Sequence, residues 1–280
     1  ARTSRNPILV FAWVFCLMAI LRKQGQAASH ALLGCYSNFT FLKGASHPDD
    51  MVAQAAALGW AAVGIADVNS LAGIVRAHVA ARDHQIRLVV GARLRPADGP
   101  DIIVHPCDRV GYEALSMLLS EANMRGSKAA PILYLADLAR LPASTALLVM
   151  PPRHPDAYYQ THLQTIRQIA KGQLFAGICL YRDGADEARC QMLAAAAAAL
   201  GLRVAAAADA LYHIPDRRPL ADVLACIREK QQLDDAGYLI SRNAERHLID
   251  YAEAERRWRH VPDALDGAKA LADLCHFSMD

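Results

Sequence analysis

The chain has 280 residues, with 30 Lys and Arg against 28 Asp and Glu and a formal net charge of +2. Near-neutrality removes any general electrostatic case for gripping a phosphate backbone, although a local basic patch stays open. Seven cysteines, an odd number with no Cys-x-x-Cys spacing, exclude a disulfide scaffold and fit a reducing, cytoplasmic setting.

Residues 1–28 read as an atypical apolar leader. The run PILVFAWVFCLMAIL, Pro7 to Leu21, is wholly apolar, with Arg5 before it and Arg22-Lys23 after. It is short for a spanning helix, which needs about 20 such residues. As a signal peptide it has a basic start, but Arg22 and Lys23 lie between the apolar run and the small residues Ala27-Ala28-Ser29 where cleavage would fall. A membrane or export element stays an alternative to an extension, and no membrane partner is expected. The chain begins with Ala rather than Met, which leaves room for a missing start.

From residue 30 onward, short apolar runs alternate with amphipathic stretches. The expected strands are Ala31 to Tyr36, Ala61 to Ala66, Leu88 to Leu94, Ile102 to His105, Ala146 to Met150, Phe175 to Tyr181 and Val204 to Ala208. Several are near-continuous in apolar residues, as parallel strands covered on both faces are. The first helix is expected to have Ser46 as its N-cap, with Asp49 three residues on and Gly59 closing it. A second starts after Asn69-Ser70; others lie near VGYEALSMLLSEANM, DAYYQTHLQTIRQIA, DEARCQMLAAAAAAL and PLADVLACIREK. AERHLIDYAEAERRWRH and DALDGAKALADLCHF read as two terminal helices. Seven strands with helices between them predict an α/β barrel or open α/β sheet.

In parallel α/β folds the ligand face lies beyond the C-terminal strand ends. That directs attention to Gly34-Cys35-Tyr36, Asp67-Val68-Asn69, Gly91-Ala92-Arg93, Asp209-Ala210-Leu211 and His105-Pro106. A metal cluster wants converging imidazoles and carboxylates. Only Asp67, His105 and Asp209 qualify, with His213 nearby, and the plainer expectation is that Asp67 and Asp209 cap the turns after them. Gly-x-Gly-x-x-Gly, Walker A, Gly-x-Ser-x-Gly and His-Glu-x-x-His are absent, so neither a nucleotide cradle nor a serine or zinc hydrolase is supported. Arg217 and Arg218 in RRPL, and Arg256 and Arg257 in ERRWRH, could touch phosphates or a partner, but a solvated helix face is the more economical account.

Four segments, YSNFTFLKGASHPDDMVAQAAALGW, GIADVNSLAGIVRAHVAA, ALYHIPDRRPLADVLACIREK and NAERHL, resemble the PHP (polymerase and histidinol phosphatase) domain of bacterial C-family DNA polymerases, and above all its error-prone branch. The resemblance runs from residue 29 to the last residue. It implies a distorted seven-stranded β/α barrel. Metal-binding relatives carry a His-x-His pair where this chain has Gly34 and Tyr36, an Asp-His where it has Asp67 and Val68, a glutamate at Arg93, and an Asp-x-His at Asp209 and Leu211. The resemblance therefore implies a degenerate metal site, with Asp67 and Asp209 as weak candidates and no catalytic residue. A fixed positive charge at Arg93 would repel a divalent ion.

The expected organisation is the leader, a barrel over 29–240, and a helical extension over 241–280 toward a polymerase body that these residues do not contain. The chain then reads as a fragment or isolated domain: the scaffold of an error-prone polymerase of damage-induced mutagenesis and translesion synthesis. No cofactor is expected in this chain, and Mg²⁺ is expected for the parent polymerase. Primer-template DNA, the sliding clamp and accessory mutagenesis proteins are the partners implied. The alternative is a free-standing metal-dependent phosphoesterase of the same superfamily.

Overall fold

The computed structural model describes residues 29–127, 130–155 and 157–280. Seven strands, β1 (Ala31–Cys35), β2 (Ala62–Val68), β3 (Arg87–Leu94), β4 (Ile102–Pro106), β5 (Thr145–Val149), β6 (Gln173–Ile178) and β7 (Arg203–Ala206), form one sheet in chain order. All seven expected strands are present, each displaced by one to three residues at an end.

The sheet curls until its two edges meet. Beyond β7 the chain returns to β1: Ala208 N–H donates to the Leu33 carbonyl at 2.8 Å and Tyr36 N–H donates to the Ala210 carbonyl at 2.9 Å. These bonds form a seam that closes a distorted seven-stranded barrel. Apolar side chains pack on both faces of the strands, inside the barrel and under the helices, with Ile65, Ile102, Ile103, Val104, Leu147 and Leu148 fully buried.

One strand departs from the all-parallel expectation. β4 runs antiparallel to both β3 and β5. The physical reason is the connection: only residues 95–101 separate β3 from β4, too few for the crossover of a dozen or more residues that parallel neighbours require. The end of β4 therefore lies opposite the C-terminal ends of the other strands, with His105 beside Ala146 at the start of β5. His105 is removed from the ligand face. Its ring is fully buried, lies over Gly91, and donates from Nδ1 to the Val90 carbonyl at 2.9 Å.

The helices are α1 (Pro48–Ala57), α2 (Ile74–Asp83), α3 (Arg109–Arg125), α4 (Ala157–Ile169), α5 (Asp186–Ala199), α6 (Arg218–Glu229), α7 (Tyr251–Arg257) and α8 (Asp263–Leu274). The cap of α1 falls one residue later than expected. His47 is the N-cap and its N–H donates to Asp50 Oδ2 at 3.3 Å. Ser46 is instead drawn to the loop after β7, where its Oγ accepts from His213 N–H at 3.0 Å and lies 2.8 Å from His213 Nδ1. Gly59, with φ of 81°, does end the turn after α1. The start of α2 also comes later than expected, because Ser70 Oγ holds the preceding turn through Ala72 N–H.

The long helix expected from Ala244 contracts to α7, because Asp250 accepts from Glu253 N–H at 2.7 Å and caps the helix there. α8 packs against β7, β1 and β6, over the seam. Gly267 makes that approach possible, since a Cβ there would stand 1.7 Å from the Val204 carbonyl oxygen. Trp60 is buried at the start of β2 and donates from Nε1 to the Ile249 carbonyl at 2.8 Å, tying the barrel to the terminal helices. Among the described residues no helix is long and apolar enough to cross a membrane; the leader, with Pro7 to Leu21, lies outside them.

Candidate functional site

A cavity of about 370 Å³ opens at the C-terminal ends of the parallel strands, lined among others by Tyr36, Lys43, Arg93, Asp101, Tyr181 and Asp209. Its centre is a guanidinium. Arg93, near the end of β3, is 3% exposed, pairs with Asp209 at 2.9 Å and donates to the Gly34 carbonyl at 3.3 Å. Gly34 can offer that carbonyl because its φ of 79° breaks the β1 register between Leu32 and Cys35, a bulge that re-aims the backbone. The Arg93 guanidinium lies 4.1 Å from the centroid of the Tyr36 ring. Lys43 approaches the same ring at 4.3 Å and donates to Tyr36 Oη at 2.8 Å.

Asp209 is held on two sides. Arg246 donates to its carboxylate and, at 2.7 Å, to its carbonyl oxygen. The Asp209 φ of 47° is left-handed, a conformation Asp tolerates better than most residues. Burial pushes the Asp209 carboxyl up, but the Arg246 and Arg93 guanidiniums outweigh burial and hold it below the usual carboxylate range. Burial lowers Lys43 to about 7. Burial also acts downward on Arg93, and Tyr36, Asp209 and Asp101 more than reverse it.

Asp67 does not take part. It accepts from Ser37 N–H at 2.8 Å, Ser37 Oγ at 2.6 Å and Thr40 Oγ1 at 2.7 Å, pinning the loop after β1. The expected capping role is thus corrected for both carboxylates: Asp67 anchors the β1 loop rather than the turn after β2, and Asp209 is an ion-pair partner. Val68 N–H donates to Thr40 Oγ1, and Leu211 is buried with its N–H on the Arg246 carbonyl. Gly34, Tyr36, Arg93 and Asp209 are therefore brought together; Asp67, Val68 and Leu211 are not among the residues lining the cavity.

A metal cluster needs inward-facing lone pairs from several N and O ligands. Here a buried cation fills the centre, and its donors consume the carboxylate that a metal would need. Among the described residues no three His, Cys, Asp or Glu side chains converge to hold an ion. The residues present do not fit the metal centre that the fold would otherwise accommodate.

The four arginines proposed to touch phosphates lie elsewhere and have carboxylate partners. Arg217 pairs with Asp50, Arg218 with Asp222, Arg256 with Glu253, and Arg257 bridges Glu245 and Glu253. Sequence reasoning missed Lys43, Asp101, Tyr181 and Arg246. Tyr181 had a legible signal, since it closes an expected strand on the ligand face. Arg246 had none, because its role depends on the chain returning from beyond α6.

Comparison with known proteins places this geometry. The family described as PHP domain matches residues 33–202. An error-prone DNA polymerase of Rhodopseudomonas palustris (strain BisB5) is 40% identical over 258 residues, covering 90% of this chain and 23% of that protein. Error-prone DNA polymerase 1 of Rhizobium meliloti (strain 1021) is 40% identical over 251 residues, covering 89% of this chain and 22% of that protein. The chain thus spans under a quarter of the length of these relatives. Among solved structures, an amidohydrolase from Chromobacterium violaceum with bound sulfate and no metal has a TM-score of 0.50 at 14% identity, covering 64% of this chain and 86% of that one, a likeness of fold alone.

Proposed function

The chain belongs to the PHP domain family, and on that premise we propose that it is the scaffold domain of an error-prone DNA polymerase, without metal-dependent catalysis of its own. The observation that carries the reading is Arg93, buried between Tyr36 and Asp209 at the barrel mouth. It replaces an exchangeable ion by a covalently attached charge, so the strands are held together there and no water is activated. The similarity to error-prone polymerases over 90% of the chain supports the parent assignment. Damage-induced mutagenesis and translesion synthesis would then be activities of the parent, with primer-template DNA, the sliding clamp and accessory mutagenesis proteins as its partners and Mg²⁺ as its cofactor. A cytoplasmic setting accords with six free cysteines among the described residues.

The test is elemental analysis of the purified chain together with phosphatase, 3′-exonuclease and primer-extension assays in Mg²⁺, Mn²⁺ and Zn²⁺. The expected result is no retained metal, no hydrolysis and no added nucleotide. Two or more tightly bound ions per chain, or turnover abolished by Asp209→Ala, would instead establish the phosphoesterase alternative.

A further inference from the structure

At the end of the barrel opposite the mouth, two thiols meet. Cys107 follows β4 and Cys275 follows α8, so the fold joins residues far apart in sequence. Their backbones are already tied, since His276 N–H donates to the Cys107 carbonyl at 3.0 Å. The Cys275 thiol donates to the Cys107 sulfur and, in its other orientation, to the Leu271 carbonyl at 3.3 Å. The segment after α8 is docked by two further contacts. Phe277 stacks on Tyr112 of α3 with ring centroids 4.5 Å apart, and Asp280 pairs with His78 of α2 at 3.3 Å. All of these contacts are non-covalent.

The two sulfurs are unequal. Among the described cysteines Cys107 alone is not buried. The hydrogen bond from Cys275 holds the Cys107 pKa low, outweighing burial and the Asp108 charge, which act upward. The same bond, together with burial, pushes the Cys275 thiol up. Elsewhere burial pushes Cys35 up to about 12 and Cys190 up to about 11, which leaves them inert. An accessible sulfur with thiolate character beside a second thiol is what a peroxide-sensitive cysteine and its resolving partner require.

We infer that Cys107 and Cys275 form a reversible oxidation site, in which a hydroperoxide oxidises Cys107 and the resulting disulfide locks the segment after α8 onto β4 and α3. The Cys107 thiolate attacks one peroxide oxygen, the O–O bond breaks, and the leaving hydroxide takes up the thiol's proton as water. The Cys275 sulfur then attacks the sulfenic sulfur of Cys107, forming the S–S bond, and the expelled hydroxyl leaves with the Cys275 proton as a second water. The two thiols lose two electrons in total and the peroxide gains them. In a reducing setting the bond is transient, because a dithiol reductant reopens it by exchange. The inference is independent of the metal-free reading of the mouth, at the other end of the barrel.

The experiment treats the reduced full chain with hydrogen peroxide in EDTA, alkylates the remaining thiols under denaturing conditions, and maps the unreduced peptides by mass spectrometry. The expected product joins the Cys107 and Cys275 peptides, lighter by two hydrogens, and is lost on adding dithiothreitol. In Cys275→Ala, dimedone should trap the sulfenic acid at Cys107 at least about tenfold more than any label at Cys190. Oxidised wild type should unfold at higher urea than reduced wild type, with no such shift in Cys275→Ala. Both thiols still free after excess peroxide, a cross-link to a different cysteine, or an unchanged urea midpoint in the cross-linked chain overturns the proposal. Circular dichroism checks the fold of the variant, and the wild-type peptide map decides even if that variant fails to fold.

Discussion

Arg93 and Asp209 meet at 2.9 Å, one from β3 and the other from just beyond β7, so a single ion pair joins parts of the barrel that are not neighbours in the sheet. Removing the shared carboxylate strands two buried guanidiniums, whereas removing one guanidinium leaves Asp209 with the other. Asp209→Ala is therefore expected to cost about 3–5 kcal/mol, the range for breaking a buried pair, and Arg93→Met less. Because the folded-state carboxyl is held low, this stability is present above the unfolded value near ~3.9 and is lost as pH falls through the folded value. Urea melts order the two variants; equal, small losses would make the pair a bystander.

His105 gives a second acid response, at higher pH. Burial lowers its pKa from the ordinary 6.5 to about 4, so between those values the unfolded chain takes up a proton that the folded chain refuses. Stability should fall as pH drops from 6.5 toward 4, and His105→Leu should flatten that slope. Melting temperature measured across this window decides it. A Cβ at Gly91 would come within 2.6 Å of His105 Nδ1, so Gly91→Ala should cost about 1–3 kcal/mol by overpacking.

Ser46 is coupled to His213 rather than to α1. Ser46→Ala should cost about 1–3 kcal/mol by stranding the His213 backbone N–H, a donor that His213→Ala leaves in place, so only the share owed to the Oγ–Nδ1 contact should shrink in that background. A double-mutant cycle reads the coupling directly. No measurable loss in Ser46→Ala would show that the hydroxyl does not hold the loop after β7.

Gly267→Ala tests the seat of α8. The added methyl would overlap the Val204 carbonyl, backbone that cannot turn aside, so the helix must lift from β7. The expected outcome is a cooperative transition at much lower urea, or insoluble protein, while Ala268→Gly on the same helix costs about 1 kcal/mol in propensity plus the small volume lost.

The strands were legible because each is a short apolar run bounded by turn residues, and Trp60 was legible as a large apolar side chain at a strand start. The reversal of β4 was not, since hydrophobic periodicity is blind to strand direction; only the brevity of residues 95–101 signalled it. Four positions of the mouth, Gly34, Tyr36, Arg93 and Asp209, were legible as strand-end residues. Their relationship was not: that Arg93 would be buried on Tyr36 follows from charge balance in three dimensions, with Arg246 arriving from a segment far along the chain. The displaced cap of α1 failed for a similar reason. A tertiary partner, His213, outbid the local backbone for the Ser46 hydroxyl.

The seam also bears on how the chain acquires its fold. Every ladder in the sheet joins strands consecutive in sequence, so the sheet can grow one strand at a time with modest loop closures. The bonds between Leu33 and Ala208 and between Tyr36 and Ala210 instead close a loop of most of the barrel, and that entropy must be met before any contact rewards it. Ring closure is thus expected to be the last step of assembly. Substitutions along the seam should speed unfolding while hardly altering the refolding rate, which stopped-flow chevrons of Asp209→Ala and Gly91→Ala can compare.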